Sequence, residues 1–242
     1  MFHFFVTPYL TYNFILIAAA VIPAVFLMVR VYRSDRLEKE SPWLLRRLVV
    51  GGVLSSLAAM LSERVLSWLL DLFLEPDTLL YNVILYFIIV ALSEEGAKYI
   101  FLKRRTWRSL EFNSQFDGVV YAVFVSLGFA LWENVSYVMS YGFSTALVRS
   151  VTAIPGHACF GVFMCVFYGI SKKYHNYGSP DAAQICRVFA VTIPALLHGA
   201  YDFLATMESG LGNVLFVVFI ALLFFVSYRL VGKMSGTDEY IA

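Results

Sequence analysis

The chain has 242 residues, of which 60% are hydrophobic and only 14% are charged. A soluble domain carries roughly 25% charged residues, so this composition excludes an ordinary soluble enzyme and indicates an integral membrane protein. The net charge of +1 offers no electrostatic footprint for nucleic acid, and no such partner is expected.

Taken in order, the chain contains seven apolar segments, each long enough for the roughly 20 residues that a spanning helix needs. They cover approximately residues 8–31, 48–70, 79–102, 118–141, 146–170, 185–206 and 213–231. The sequence therefore predicts an all-α, polytopic membrane protein. It reads as one helical membrane domain over residues 1–242, with a catalytic core at about 79–206. Residues 1–11 hold no Lys or Arg, so they lack the basic region of a cleaved signal peptide, and the first helix is expected to remain. Cys159, Cys165 and Cys186 fall in or beside apolar segments without a CxxC pair and read as packing residues.

Basic residues alternate between the connecting segments. Arg30, Arg33, Arg36, Lys39, Arg46 and Arg47 follow the first span; Lys103, Arg104, Arg105 and Arg108 follow the third; Lys172, Lys173 and Arg187 follow the fifth; Arg229 and Lys233 follow the seventh. By the positive-inside rule this puts the N-terminus outside and the C-terminus in the cytoplasm. The connections are too short for a catalytic domain, so any chemistry falls to the helices.

Ionisable residues at membrane depth are costly and usually functional. Span two carries Glu63-Arg64, which reads as a local salt pair or a structural bridge to another helix. Span three carries Glu94, Glu95 and Lys98. Glu94 and Lys98 share a helix face at i and i+4, while Glu95 is turned about 100° away. The expectation is that Lys98 answers Glu94, leaving Glu95 as the slightly favoured base. Span four opens with Asp117-Gly118 and places Glu133 deep in the helix without a basic residue within one turn. Such a carboxylate must be protonated, metal-bound or matched from another helix. Span five contains Pro155-Gly156-His157, where the proline is expected to loosen the helix interior. Span six contains His198 and Asp202 at i and i+4, a spacing for two ligands on one metal or for a carboxylate that holds the imidazole from behind. Spans one and seven read as packing helices.

Depths along the helices are compatible. At 1.5 Å per residue, Glu94 and Glu95 lie roughly 10–14 Å from the basic end of their span, His157 and His198 roughly 18–20 Å, and Glu133 roughly 22 Å. Two histidines plus carboxylates suit a zinc ion with a position left open for water. On this reading Glu133, His157, His198 and Asp202 are the metal candidates. Glu94, Glu95, Glu133, His157 and His198 are the catalytic candidates, with Glu94 or Glu95 as the base. Access from the cytoplasmic side is expected because Glu94 and Glu95 lie towards it.

These residues fall into motifs: Glu94-Glu95-x-x-Lys98, Gly128-Phe129-x-x-x-Glu133-Asn134, Pro155-Gly156-His157 and His198-Gly199-x-Tyr201-Asp202, with Asp117-Gly118-x-x-Tyr121 before the second. Each is weak alone. In this order on successive spans, they make the chain resemble the PrsW family of bacterial intramembrane proteases, relatives of the superfamily of CAAX prenyl-proteases and bacteriocin-processing proteins. The resemblance covers about residues 84–204. It implies a multi-pass protein of the bacterial plasma membrane that hydrolyses a peptide bond of a single-span membrane protein within the lipid bilayer. The typical substrate is an anti-sigma factor, cut to release a sigma factor. It leaves two hydrolytic mechanisms open, one with zinc and one in which glutamate and histidine activate water without metal. In metal-free relatives the Glu133 position holds a histidine. The rival from another class is a proton-coupled transporter, since buried acids and histidines also relay protons.

Overall fold

The computed structural model describes residues 2–241, with side chains from Thr11 onward. Its helices are α1 (Phe2–Ser34), α2 (Pro42–Asp71), α3 (Leu79–Val83), a π-helical segment (Ile84–Val90), α4 (Ala91–Thr106), α5 (Gln115–Tyr141), α6 (Phe143–Val151), α7 (Ala153–Asn176), α8 (Pro180–Ala205) and α9 (Gly210–Gly236). Among the described residues there is no strand, only an isolated bridge between Ser114 and Tyr240. Seven helical stretches are long and apolar enough to cross a membrane, as the sequence predicts.

The observed helices extend past the apolar cores, for local reasons. α2 begins at Pro42 because Ser41 caps it, accepting the Leu44 amide at 3.2 Å, and proline suits the first helical position. α5 begins with a capping box between Ser114 and Asp117. From Phe116 to Ala130 every residue of α5 is buried. A helix apolar on all sides belongs at the centre of a bundle, and α1, α2 and α7 pack around it. Its crossing with α2 is close: a Cβ on Gly128 would lie 2.4 Å from the Val49 carbonyl oxygen. Glycine allows that approach, the packing mode of membrane helices.

Two spans depart from the expected single helix. The third passes through seven residues of π-helix immediately before α4, a distortion associated with functional sites. The fifth breaks at Thr152 into α6 and α7. Pro155 is therefore the third residue of α7 rather than an interior helix residue. The first-turn amides of a helix have no intrahelical acceptor, so proline costs nothing there. α9 presents most of its surface outward, with Leu211, Val214, Val217 and Leu222 exposed, in keeping with a packing helix at the bundle edge.

The largest apolar core fills the half of the bundle near the basic loops, where Leu44, Leu48, Leu102, Phe116, Tyr121 and Tyr168 pack together. The polar residues gather beyond it.

Candidate active site

Five helices deliver ionisable side chains to one place. α4 brings Glu94, Glu95 and Lys98, all buried. Lys98 Nζ lies 3.2 Å from Glu94 Oε2, 2.7 Å from Glu95 Oε1 and 3.1 Å from His157 Nδ1. It also stands 3.9 Å from the centre of the Phe129 ring, a favourable cation–π position. Lys98 therefore does not serve Glu94 alone, as the i, i+4 spacing suggested. Residues at i and i+3 also share a face, and a four-carbon stem lets one ammonium sit between both carboxylates.

α8 reaches this cluster because Gly199 packs directly on the π-helical segment. A Cβ there would fall 2.7 Å from the Phe87 ring and 2.9 Å from its Cα. The approach brings His198 Nδ1 to 2.9 Å from Glu95 Oε1, and His198 Nε2 stands 3.4 Å from Asp202 Oδ2. α7 supplies His157, whose ring centre is 5.3 Å from that of His198 and nearly perpendicular to it. Its Nε2 is 2.7 Å from Glu133 Oε2 on α5. A lysine can only donate, so the His157 ring accepts from it at Nδ1 and donates to Glu133 from Nε2.

The two histidines are thus arranged alike. Each turns Nδ1 towards the glutamate–lysine cluster and is backed at Nε2 by a carboxylate, Glu133 or Asp202. A carboxylate behind an imidazole fixes its tautomer and orientation. Of the carboxylate fates open to Glu133, the fold supplies matching from other helices. Besides His157, Arg149 of α6 places Nη2 2.9 Å from Glu133 Oε2. Asn134 holds that arginine, its Oδ1 accepting from Arg149 Nε at 3.0 Å while its Nδ2 donates to the Ala20 carbonyl of α1 at 3.1 Å.

Arg149 is the residue that sequence reasoning missed. Its signal was available: a lone basic residue in the first turns of span five, at the end of the bundle where the charge pattern is otherwise acid or neutral. Glu63 was misread. It makes no ion pair with Arg64; its Oε1 is buried without a partner, and it lines the cavity beside the cluster. Spacing along one helix could not reveal that α2 turns this face towards α4 and α8.

That cavity has a volume of about 480 Å³, and its walls include Glu63, Glu94, Glu133, His198 and Asp202. Tyr137, Ala205 and Thr206 also line it, so it lies on the side of the glutamates remote from the basic loops. The expected access from the basic side is not what this cavity offers, and the apolar residues around Phe116 and Tyr168 occupy much of that half.

A sequence model described as PrsW family intramembrane metalloprotease matches residues 40–228. The chain belongs to the PrsW family. The match runs from the start of α2 into α9 and contains every residue of the cluster. A protein named Protease PrsW from Oceanobacillus iheyensis is 30% identical over 215 residues, covering 89% of this chain and 94% of the relative. One of the same name from Clostridioides difficile is 30% identical over 227 residues, covering 92% of each. A third, from Bacillus subtilis, is 28% identical over 197 residues, covering 81% and 85%. No solved structure matches the chain. Membership makes the protein a hydrolase, an intramembrane metalloprotease of the bacterial plasma membrane, and sets aside the transporter reading.

The PrsW family's metal finds compatible ligands here. Glu94, Glu95, His157 and His198 each offer a ligand atom, all within 4.8 Å of one another and all buried. Glu95 Oε2 is buried without a hydrogen-bond partner, an orphan that a cation would satisfy. Of the residues expected as ligands, His157 and His198 fall in this set. Glu133 and Asp202 stand behind the two imidazoles instead.

Proposed function

We propose that this protein cleaves a single-span membrane protein of the anti-sigma-factor class, using zinc held by His157, His198 and Glu95, with Glu94 as general base. The arrangement that carries the reading is the pair of imidazoles aimed at Glu94 and Glu95 and backed by carboxylates, beside a cavity. The substrate class rests on the resemblance to the family. Glu94 is preferred to Glu95 as base because it lines the cavity, whereas the Glu95 side chain is wholly enclosed.

A bound zinc ion would polarise the scissile carbonyl and make water a stronger acid. Glu94 takes a proton from the attacking water as its oxygen bonds to the carbonyl carbon. The C–N bond then breaks, and Glu94 returns the proton to the leaving nitrogen. Glu133 and Asp202 hold the imidazole rings in one orientation, and Arg149 keeps Glu133 in place. Lys98 places one ammonium between the two glutamates and holds both side chains in position.

The positive-inside pattern supports an outside N-terminus and a cytoplasmic C-terminus. With that orientation, the position of the cavity supports cleavage in the outer half of the bilayer. One observation favours a metal-free version: Lys98 Nζ already bonds to three of the four candidate ligand residues. Purified protein reconstituted with a single-span substrate tests both. Cleavage that is lost on exhaustive chelation and restored by zinc supports the metal; full activity after chelation removes it. If wild-type protein cleaves nothing while proton flux disappears in Glu94→Gln and His198→Ala, the protease reading itself is wrong.

A further inference from the structure

A second acidic cluster lies at the basic end of the bundle, remote from the active site. Asp35 follows the end of α1, Glu40 precedes the cap of α2, and Asp117 sits in the first turn of α5. The three offer ligand oxygens within 4.8 Å of one another, and their exposures are 3%, 3% and 0%. Asp238, from the C-terminal tail, joins the same neighbourhood, accepting the Phe116 amide at 2.9 Å. Burying carboxylates together is unfavourable unless charge or hydrogen bonds compensate them.

The three carboxylates are not equally compensated. Asp117 accepts the Asn113 and Ser114 amides at 2.9 and 2.6 Å and the Ser114 hydroxyl at 2.7 Å. Glu40 accepts the Tyr121 phenol at 2.7 Å on Oε2, while its Oε1 is buried and unpartnered. Asp35 has no hydrogen bond on either carboxylate oxygen; the Leu37 amide lies close enough to favour its charge but not in bonding geometry. Lys39 directs its ammonium to the backbone carbonyls of Tyr32 and Asp35. Among the described residues, none of these acids takes part in an ion pair.

Asp35 is therefore enclosed with neither carboxylate oxygen hydrogen-bonded, and Glu40 keeps one buried oxygen without a partner beside it.

We propose that Asp35, Glu40 and Asp117 form a binding site for a hard divalent cation, Mg2+ or Ca2+, at the basic end of the bundle. An all-oxygen, all-carboxylate donor set selects such ions over softer transition metals. The orphaned oxygens of Asp35 and Glu40 supply its open coordination. The ion ties the α1–α2 connection to the start of α5, where the C-terminal tail is already anchored by the Ile241 amide on the Asn113 carbonyl at 2.6 Å. This site is independent of the protease reading and uses none of its residues.

The test is thermal unfolding of the full chain in neutral detergent, after chelation and then with Mg2+ or Ca2+ added. At about a hundredfold excess over Kd, the melting temperature of wild-type protein should rise by about 5 °C or more. Asp35→Asn and Glu40→Gln should abolish the rise. Chelated Asp35→Asn should be at least as stable as chelated wild type, because it removes a buried charge and breaks no hydrogen bond of that side chain. Tb3+ luminescence excited through tyrosine supplies a second readout: emission lost in both variants supports the site. A wild-type melting temperature indifferent to both cations, or a rise that persists in both variants, overturns it.

Discussion

The two acidic clusters solve one electrostatic problem in opposite ways. In the candidate active site, Lys98 and Arg149 stand against Glu94, Glu95 and Glu133 at 2.7 to 3.2 Å, and two histidines complete the network. At the basic end, Asp35, Glu40 and Asp117 come together without an ion pair among the described residues, although arginines and lysines crowd the adjacent sequence. The lesson is that local abundance of positive charge does not compensate a buried acid. Only a side chain that follows the carboxylate into the interior can, and Lys98 does so on the same helix as its partners.

Three predictions probe this contrast. The largest effect is expected at Glu94: Glu94→Gln should lower the cleavage rate by about 10²- to 10⁴-fold while leaving substrate binding in place. A small loss, with a larger one in Glu95→Gln, would move the base to the enclosed carboxylate. Next, Lys98→Met should destabilise the fold by about 3–5 kcal/mol, because removing one partner of a buried pair leaves the others uncompensated. Unfolding by denaturant in detergent reads this directly. Unchanged stability would mean that the active-site acids manage without an internal cation, and the contrast between the clusters would disappear. The smallest effect belongs to Arg149. Arg149→Gln leaves His157 on Glu133 and should reduce activity by about 10-fold or less, because Arg149 acts one residue further out, on the carboxylate that holds the His157 ring. A matching loss of stability would mark Arg149 as a packing residue instead.

The fold was largely legible because membranes enforce simple rules. Backbone groups in lipid must be satisfied within helices, so seven long apolar segments gave seven spanning helices, and polar interruptions flagged the site. Glu94, Glu95, His157 and His198 were singled out by that cost argument together with their compatible depths on successive spans. The partners of each were not. Sequence spacing relates residues on one helix, so it paired Lys98 with Glu94 and could offer Glu63 only Arg64 or an unspecified bridge to another helix. The first pairing proved incomplete and the second absent.

The sequence by itself determined the number of spans, the set of membrane-depth acids and histidines, and the alternation of basic loops, because each follows from the cost of placing a given residue in lipid. Only the tertiary structure decided which of them meet. The π-helical turn before Glu94, the approach of Gly199 to Phe87 and the break at Thr152 rotate and seat the helices. Those three features set both imidazoles facing the glutamates, put Arg149 on Glu133 and left the cavity on the side away from the basic loops. Rotation about a helix axis leaves its hydropathy unchanged, so packing between helices, not composition, had to settle it.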